Sequence, residues 1–116
     1  MNSIVEGKAF DFAKRIVKLY KYLVNEKNEY TMSKQLLRSG TSIGANIAEA
    51  QYAQSKNDFI SKTHIALKET NETKYWLRLL NETDYITDKE FLSIFDDCCQ
   101  IHKMLSSIII SSKNEK

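Results

Sequence analysis

Proline is missing from this chain altogether, and its 116 residues include only three glycines. Folds built from strands and tight turns draw heavily on both, so the shortage favours helices before any periodicity is read. Cysteine is just as scarce. Cys98 and Cys99 are the only two, and they stand side by side. Neighbours on a helix point roughly 100° apart, which offers neither a disulfide framework nor the spacing of a metal site. No apolar run approaches the roughly eighteen residues of a membrane span, and the opening MNSIVEGKAF has no signal-peptide core. The expectation is a reduced, cytoplasmic protein with no membrane partner. A formal charge of +2 is too small to announce a nucleic-acid binder by itself. What remains, 42% hydrophobic and 28% charged residues, describes one globular domain over residues 1–116.

The chain is organised around Arg38 to Ala50, RSGTSIGANIAEA. On a helix, Arg38, Ser42, Asn46 and Glu49 line one polar stripe, with Ser39, Ile43, Ile47 and Ala50 beside it. On the other flank, Leu36, Gly40, Gly44 and Ala48 stand four apart. Each interior glycine costs a helix about 0.8–1 kcal/mol relative to alanine, so a close approach by another element, or a bend, is expected there. This segment therefore reads as a central helix packed on several sides.

Three more helices surround it. The first runs from about Ile4 or Phe10 to Asn25, with a seam of Phe10, Ala13, Ile16, Val17, Tyr20, Leu23 and Val24, and a second apolar line of Phe12 and Leu19. Thr31 is the expected N-cap of the second helix, Met32 to about Tyr52. Ser55 and Asp58 have capping-box-like spacing before a third helix, about Lys56 to Leu80, whose seam turns polar at Thr70, Asn71 and Thr73. An antiparallel hairpin with the second helix would place those residues level with Asn46, in a shared hydrogen-bond layer. Thr87 to Glu90 is a capping box opening a fourth helix, which continues to about Ile110. Four helices with short links predict an all-α, up-down-up-down antiparallel four-helix bundle. Ile16, Ile43, Ile47, Leu67, Leu77, Phe95, Ile101 and Leu105 are its expected core.

Catalytic patterns are absent. His64 and His102 have no second ligand at metal spacing, and Cys98 is four residues before His102, which reads as packing. Glu69 and Glu72 are followed at i+3 by Glu72 and Tyr75, so the Glu-x-x-His pairs of di-iron bundles are missing. There is no phosphate-cradling loop, nucleophile elbow or dinucleotide fingerprint. No catalytic residue, metal, cofactor or small-molecule substrate is expected. The polar stripe reads as a structural network in which Arg38 needs a carboxylate, with Glu49 and Glu72 as candidates.

Charge is unevenly spread. Residues 1–40 carry eight Lys and Arg against four Asp and Glu, whereas residues 81–116 carry four against seven. Lys14, Lys18 and Lys21 share a face of the first helix with Arg15 at its edge, and Lys74 and Arg78 stand four apart on the third. They are candidates for phosphate contact with RNA or DNA, or else solvated faces that attract the acidic fourth helix. Tyr20, Tyr22, Tyr75 and Trp76 exceed what one seam per helix absorbs, which points to self-association.

The run Arg38, Ser42-Ile43 and Asn46-Ile47-Ala48-Glu49, followed by Phe59, the Ile65-Ala66-Leu67 triplet, Glu72, Leu77, Tyr85, Ile101, Met104-Leu105 and Ile108, resembles the four-helix-bundle family of 23S rRNA intervening-sequence proteins. SIxxNIAE is its most specific part. Ala50 replaces a usual glycine, Gly44 a frequent proline, and Lys68 and Glu69 smaller residues, which implies looser packing of the third helix there. The resemblance implies a small cytoplasmic bacterial protein that assembles as a ring, commonly a homopentamer. The family is similar to the accessory protein of diversity-generating retroelements, a basic pentameric barrel that binds nucleic acid and a reverse transcriptase. Two functions are therefore expected in competition: a homo-oligomer associated with nucleic acid, and an assembly module that binds a protein partner alone.

Overall fold

The computed structural model describes the backbone of residues 3–115 and the side chains of 4–115, so the expected domain limits at 1 and 116 lie outside the described residues. Four helices make up the fold: α1 Ser3–Lys27, α2 Met32–Ala50, α3 Lys56–Glu82 and α4 Asp88–Asn114. Each packs on its sequence neighbour and α4 returns to α1, while the diagonal pairs do not meet. The result is an antiparallel bundle of 50 × 21 × 19 Å, about one helix long and two wide.

Residues other than glycine provide two of the helix stops. Asn28, with φ 53°, ends α1, and Asp84, with φ 68°, follows α3. Asn and Asp tolerate this left-handed backbone because their short polar side chains bond locally. At the second stop the Tyr85 amide donates back to the Leu80 carbonyl at 2.9 Å. The box at Thr87 and Glu90 forms in full, and Ser55 accepts from the Asp58 amide at 3.1 Å. Asp58 itself accepts from the Gln54 amide.

Thr31 occupies the N-cap position of α2 but makes no side-chain cap. Glu29 does the work instead, accepting from the amides of Thr31, Met32 and Ser33 at 3.2, 3.1 and 2.7 Å. A carboxylate with two oxygens can satisfy three of the orphan donors that open a helix, and one hydroxyl cannot. Burial pushes the Glu29 pKa up, but these amides and the Ser33 hydroxyl outweigh it and hold the group below its ordinary value.

The innermost layer is Phe12, Ile16, Leu23, Leu36, Ile43, Ile47, Leu77, Leu80, Ile101 and Leu105, all fully buried. Six of the eight expected core residues are among them. Leu67 and Phe95 are half-buried instead. The α3 seam runs through Thr63, Ala66, Thr70, Thr73 and Leu77, which leaves Leu67 on its flank, and Phe95 stacks beside Phe91 with ring centroids 4.8 Å apart. The α1 seam is likewise rotated from expectation: Val5, Ala9, Phe12, Ile16 and Leu23 face inward, and Phe10 stands 66% exposed. All four helices also differ from expectation by one or more residues at an end, α1, α3 and α4 running longer and α2 stopping sooner.

Gly40 explains part of the small stripe on α2. A Cβ there would lie 2.8 and 2.9 Å from two γ-carbons of Ile16, so α1 is packed into the space a side chain would fill. At Gly44 the nearest atom is Ala9 Cβ at 3.6 Å, which is ordinary contact.

Candidate functional site

Arg38 joins α2 to α3 through two carboxylates one turn apart. Its Nη1 donates to Glu69 at 2.8 Å and its Nη2 to Glu72. Trp76 Nε1 also donates to Glu72, at 3.1 Å. Arg38 first, then Trp76, holds the Glu72 carboxyl below its ordinary pKa. The Glu69 side chain is only 11% exposed, so the segment expected to pack loosely instead holds a nearly buried carboxylate, paired with a half-exposed arginine. The cation that pairs with both carboxylates comes from another helix.

Other members of the expected network behave differently. Ser42 Oγ donates to the Arg38 carbonyl at 2.6 Å and Asn46 Nδ2 to the Ser42 carbonyl at 2.8 Å, both within α2. Glu49 is exposed and has no ion pair among the described residues. The shared hydrogen-bond layer exists, but Ser39 and Thr73 form it: Thr73 Oγ1 donates to Ser39 Oγ at 3.0 Å. A register that sets Ser39 against Thr73 brings Asn46, two turns further on, level with the region of Ala66. Asn71 points to solvent. Glu69 and Ser39 are thus the residues that sequence reasoning passed over, while Thr73 was expected in the layer but opposite Asn46 and not Ser39. Their signal was the spacing of Ala66, Thr70, Thr73 and Leu77, with Glu69 one position before Thr70.

The basic candidates divide into free and engaged groups. Lys14, Lys18 and Lys21 are all exposed along α1. Lys14 pairs with Asp11 at 3.0 Å and overlies the Phe10 ring at 5.4 Å, whereas Lys18 and Lys21 form no ion pair among the described residues. Arg15 is held by α4, donating to Asp97 at 2.6 Å and to Ser93 Oγ at 3.0 Å. Lys74 Nζ donates to His102 Nδ1 at 2.9 Å, and Arg78 is exposed, 3.8 Å from Glu82. Because α1 and α3 are diagonal, one chain does not join these groups into a single patch.

The α3–α4 contact contains no reactive pair. Desolvation pushes the Cys98 thiol up to about 12, and its Sγ donates to the Thr70 carbonyl at 3.6 Å. An ammonium has only donors, so His102 Nδ1 accepts from Lys74 as a neutral ring, and burial with that neighbouring charge lowers its pKa. Among the described residues no group of three His, Cys, Asp or Glu is placed to hold a metal ion, and no helix is long and apolar enough to cross a membrane.

An apolar groove also marks the surface. Exposed Phe10 stands beside this groove of about 750 Å³ between α1 and α2, lined also by Gly7, Ala13, Gly44, Ala45 and Ala48, with Glu6 and Thr41 as its polar members. A large ring beside a bed of small residues has the elements of a knob and its hole.

No curated protein matches the chain. A crystal structure of a protein of unknown function from the S23 ribosomal protein family of Bacteroides thetaiotaomicron is similar to it, with 62% sequence identity and a TM-score of 0.90, covering 90% of this chain and 97% of that one. Residues 1–107 match the family described as 23S rRNA-intervening sequence protein, and the chain belongs to that family.

Proposed function

We propose that this protein works as a non-enzymatic homo-oligomer that contacts nucleic-acid phosphates through Lys14, Lys18 and Lys21 of α1. The observation that carries the reading is that these lysines lie exposed on one face, with only Lys14 engaged, and by a carboxylate of its own helix. Phe10 and the small-residue groove beside it support self-association, since aromatic anchors in pockets dominate protein interfaces. By the family's resemblance the ring would have five copies. Repetition matters because three lysines bind a polyanion weakly, while a ring presents the face several times at high effective concentration. Without a base-reading motif the contacts are sequence-independent and weaken steeply with salt.

Light scattering and fluorescence anisotropy on one preparation test this. The expected result is an oligomer that binds oligonucleotides at about 50 mM salt and loses affinity as salt rises. Phe10→Glu should give a folded, smaller species with weaker binding. A monomer at micromolar concentration overturns the assembly. Binding that is absent, or unchanged when the three lysines become glutamine, overturns the nucleic-acid contact and leaves a protein-binding scaffold.

A further inference from the structure

The polar bridges between α1 and α4 are Lys8 to Gln100 and Arg15 to Asp97 and Ser93. Beyond Arg15, towards the turn before α4, the two helices leave a groove of about 460 Å³. That volume is within the roughly 300–1,000 Å³ of small-molecule sites. Leu19, Ile86 and Ile94 give it apolar walls, and Lys18 and Lys89 reach it from α1 and α4. Neither lysine forms an ion pair among the described residues, and both are exposed. Arg15 is fixed at the rim by Asp97, which balances its charge. The one acidic residue in the lining, Glu90, is turned back on the helix cap, accepting from the Thr87 amide and hydroxyl at 2.9 Å each. Two free ammonium groups against one occupied carboxylate leave the groove cationic.

Apolar walls under a cationic rim suit a ligand that is planar and apolar at one end and anionic at the other. We infer that this groove receives one unstacked nucleotide, its phosphate between Lys18 and Lys89 and its base against Leu19, Ile86 and Ile94. The inference rests on the nucleic-acid reading above and sharpens it. Lys18 belongs both to the exposed stripe of α1 and to the groove, so a strand tracked by the stripe passes the groove's mouth. A duplex keeps its bases stacked and paired, and only a single strand can turn one outward. The α1 lysines alone do not discriminate, whereas the groove selects single strands. A free mononucleotide has the same chemistry and is the other possible source.

Two measurements on the intact protein decide the matter. Adenosine monophosphate, titrated against protein labelled at Leu and Ile methyls, should shift Leu19, Ile86 and Ile94, while inorganic phosphate should leave those methyls in place. By anisotropy at low salt, a single strand should bind about tenfold more tightly than a duplex of equal length, within what stacking one base contributes. Lys89→Gln should reduce that preference. Ser93→Trp, which fills the groove from an exposed position, should abolish it with duplex affinity nearly unchanged. Silent methyls, or a preference that survives Ser93→Trp, overturn the groove even where the α1 lysines still bind nucleic acid. Methyl shifts with the mononucleotide but no oligonucleotide binding would uphold the pocket chemistry, assign it to free nucleotides, and end the nucleic-acid reading.

Discussion

Two polar seams of this bundle, α2 against α3 and α1 against α4, use the same residue types with opposite results. Between α2 and α3, Arg38 faces Glu69 and Glu72, and Ser39 and Thr73 bond where both are fully buried. Between α1 and α4, Arg15 meets Asp97 with both side chains more than a third exposed, and these helices touch least of any neighbours. Burial of the partners makes the difference, since the two arginines are about equally exposed while Glu69, Ser39 and Thr73 are out of water and Asp97 is not. A polar group taken out of water must find its partner or lose the bonds water gave it, so the α2–α3 contacts dictate register. The α1–α4 bridges are only part-buried and dictate less, and a groove opens on that side.

The comparison breaks most readily at the core beside the first seam. Ile47 is fully buried on α2, and Ile47→Ala should cost about 2–5 kcal/mol by leaving a cavity in a helix whose packing is already tight at Gly40. Urea denaturation measures it, and a loss below about 0.5 kcal/mol would place that seam at the surface.

Arg38→Met comes next. It strands the Glu69 carboxylate, which is nearly buried, and should cost about 1–2 kcal/mol, discounted because half of the Arg38 side chain is in water. Adding Glu69→Gln should recover part of the loss. A double variant no better than Arg38→Met would mean that the arginine acts by packing and not by charge.

That pair also shows what could be read from residues and what could not. The four helices, the Thr87 box and six of the core positions follow from periodicity and capping chemistry, which are local. Arg38 was legible as pairing with a carboxylate, and Glu72 was one of the two candidates, but the premise of a buried arginine fails: half of its side chain is exposed, and Glu69 is the nearly buried partner. Glu69 was not legible: its burial depends on which face of α3 meets α2, a register fixed by Ser39 and Thr73. Glu29 escaped for a similar reason. Its capping role needs the left-handed turn at Asn28 that folds it back under α2. Phe10 was misplaced because two apolar lines run along α1, and helical spacing does not say which faces inward. The engaged state of Arg15 and Lys74 likewise depends on what α4 brings to them.

A smaller effect lies in pH. Glu72 is held below its ordinary pKa by Arg38, so in the folded protein it stays ionised at pH values where the unfolded chain takes up a proton. Its contribution is complete above about 4.5 and is lost as pH falls through the folded value. Glu29 and Glu90 add to the same acid loss, for they too are lowered. His102, lowered by burial and Lys74, contributes stability that is complete above about 6.5 and wanes below it. Thermal melts from pH 7 to 3 should show a first decline that His102→Gln removes and a steeper one that Arg38→Met flattens. A melt independent of pH between 7 and 5 in the native chain would contradict the histidine assignment.

The smallest effect belongs to the open seam. Asp97→Asn and Arg15→Gln, in a double-mutant cycle, should show a coupling of about 0.5 kcal/mol or less, because exposed ion pairs are screened and entropically costly. The substitution should matter more for binding than for folding. Asp97 is the group that balances Arg15 at the groove's rim, so Asp97→Asn adds one uncompensated positive charge there and, under the proposed nucleic-acid contact, should strengthen oligonucleotide binding at low salt, with the gain fading as salt screens it. A coupling above about 1.5 kcal/mol would make the α1–α4 seam as constrained as α2–α3. Stronger binding with stability unchanged would instead identify Asp97 as a regulator of the groove's charge, set on the side of the bundle that its fold depends on least.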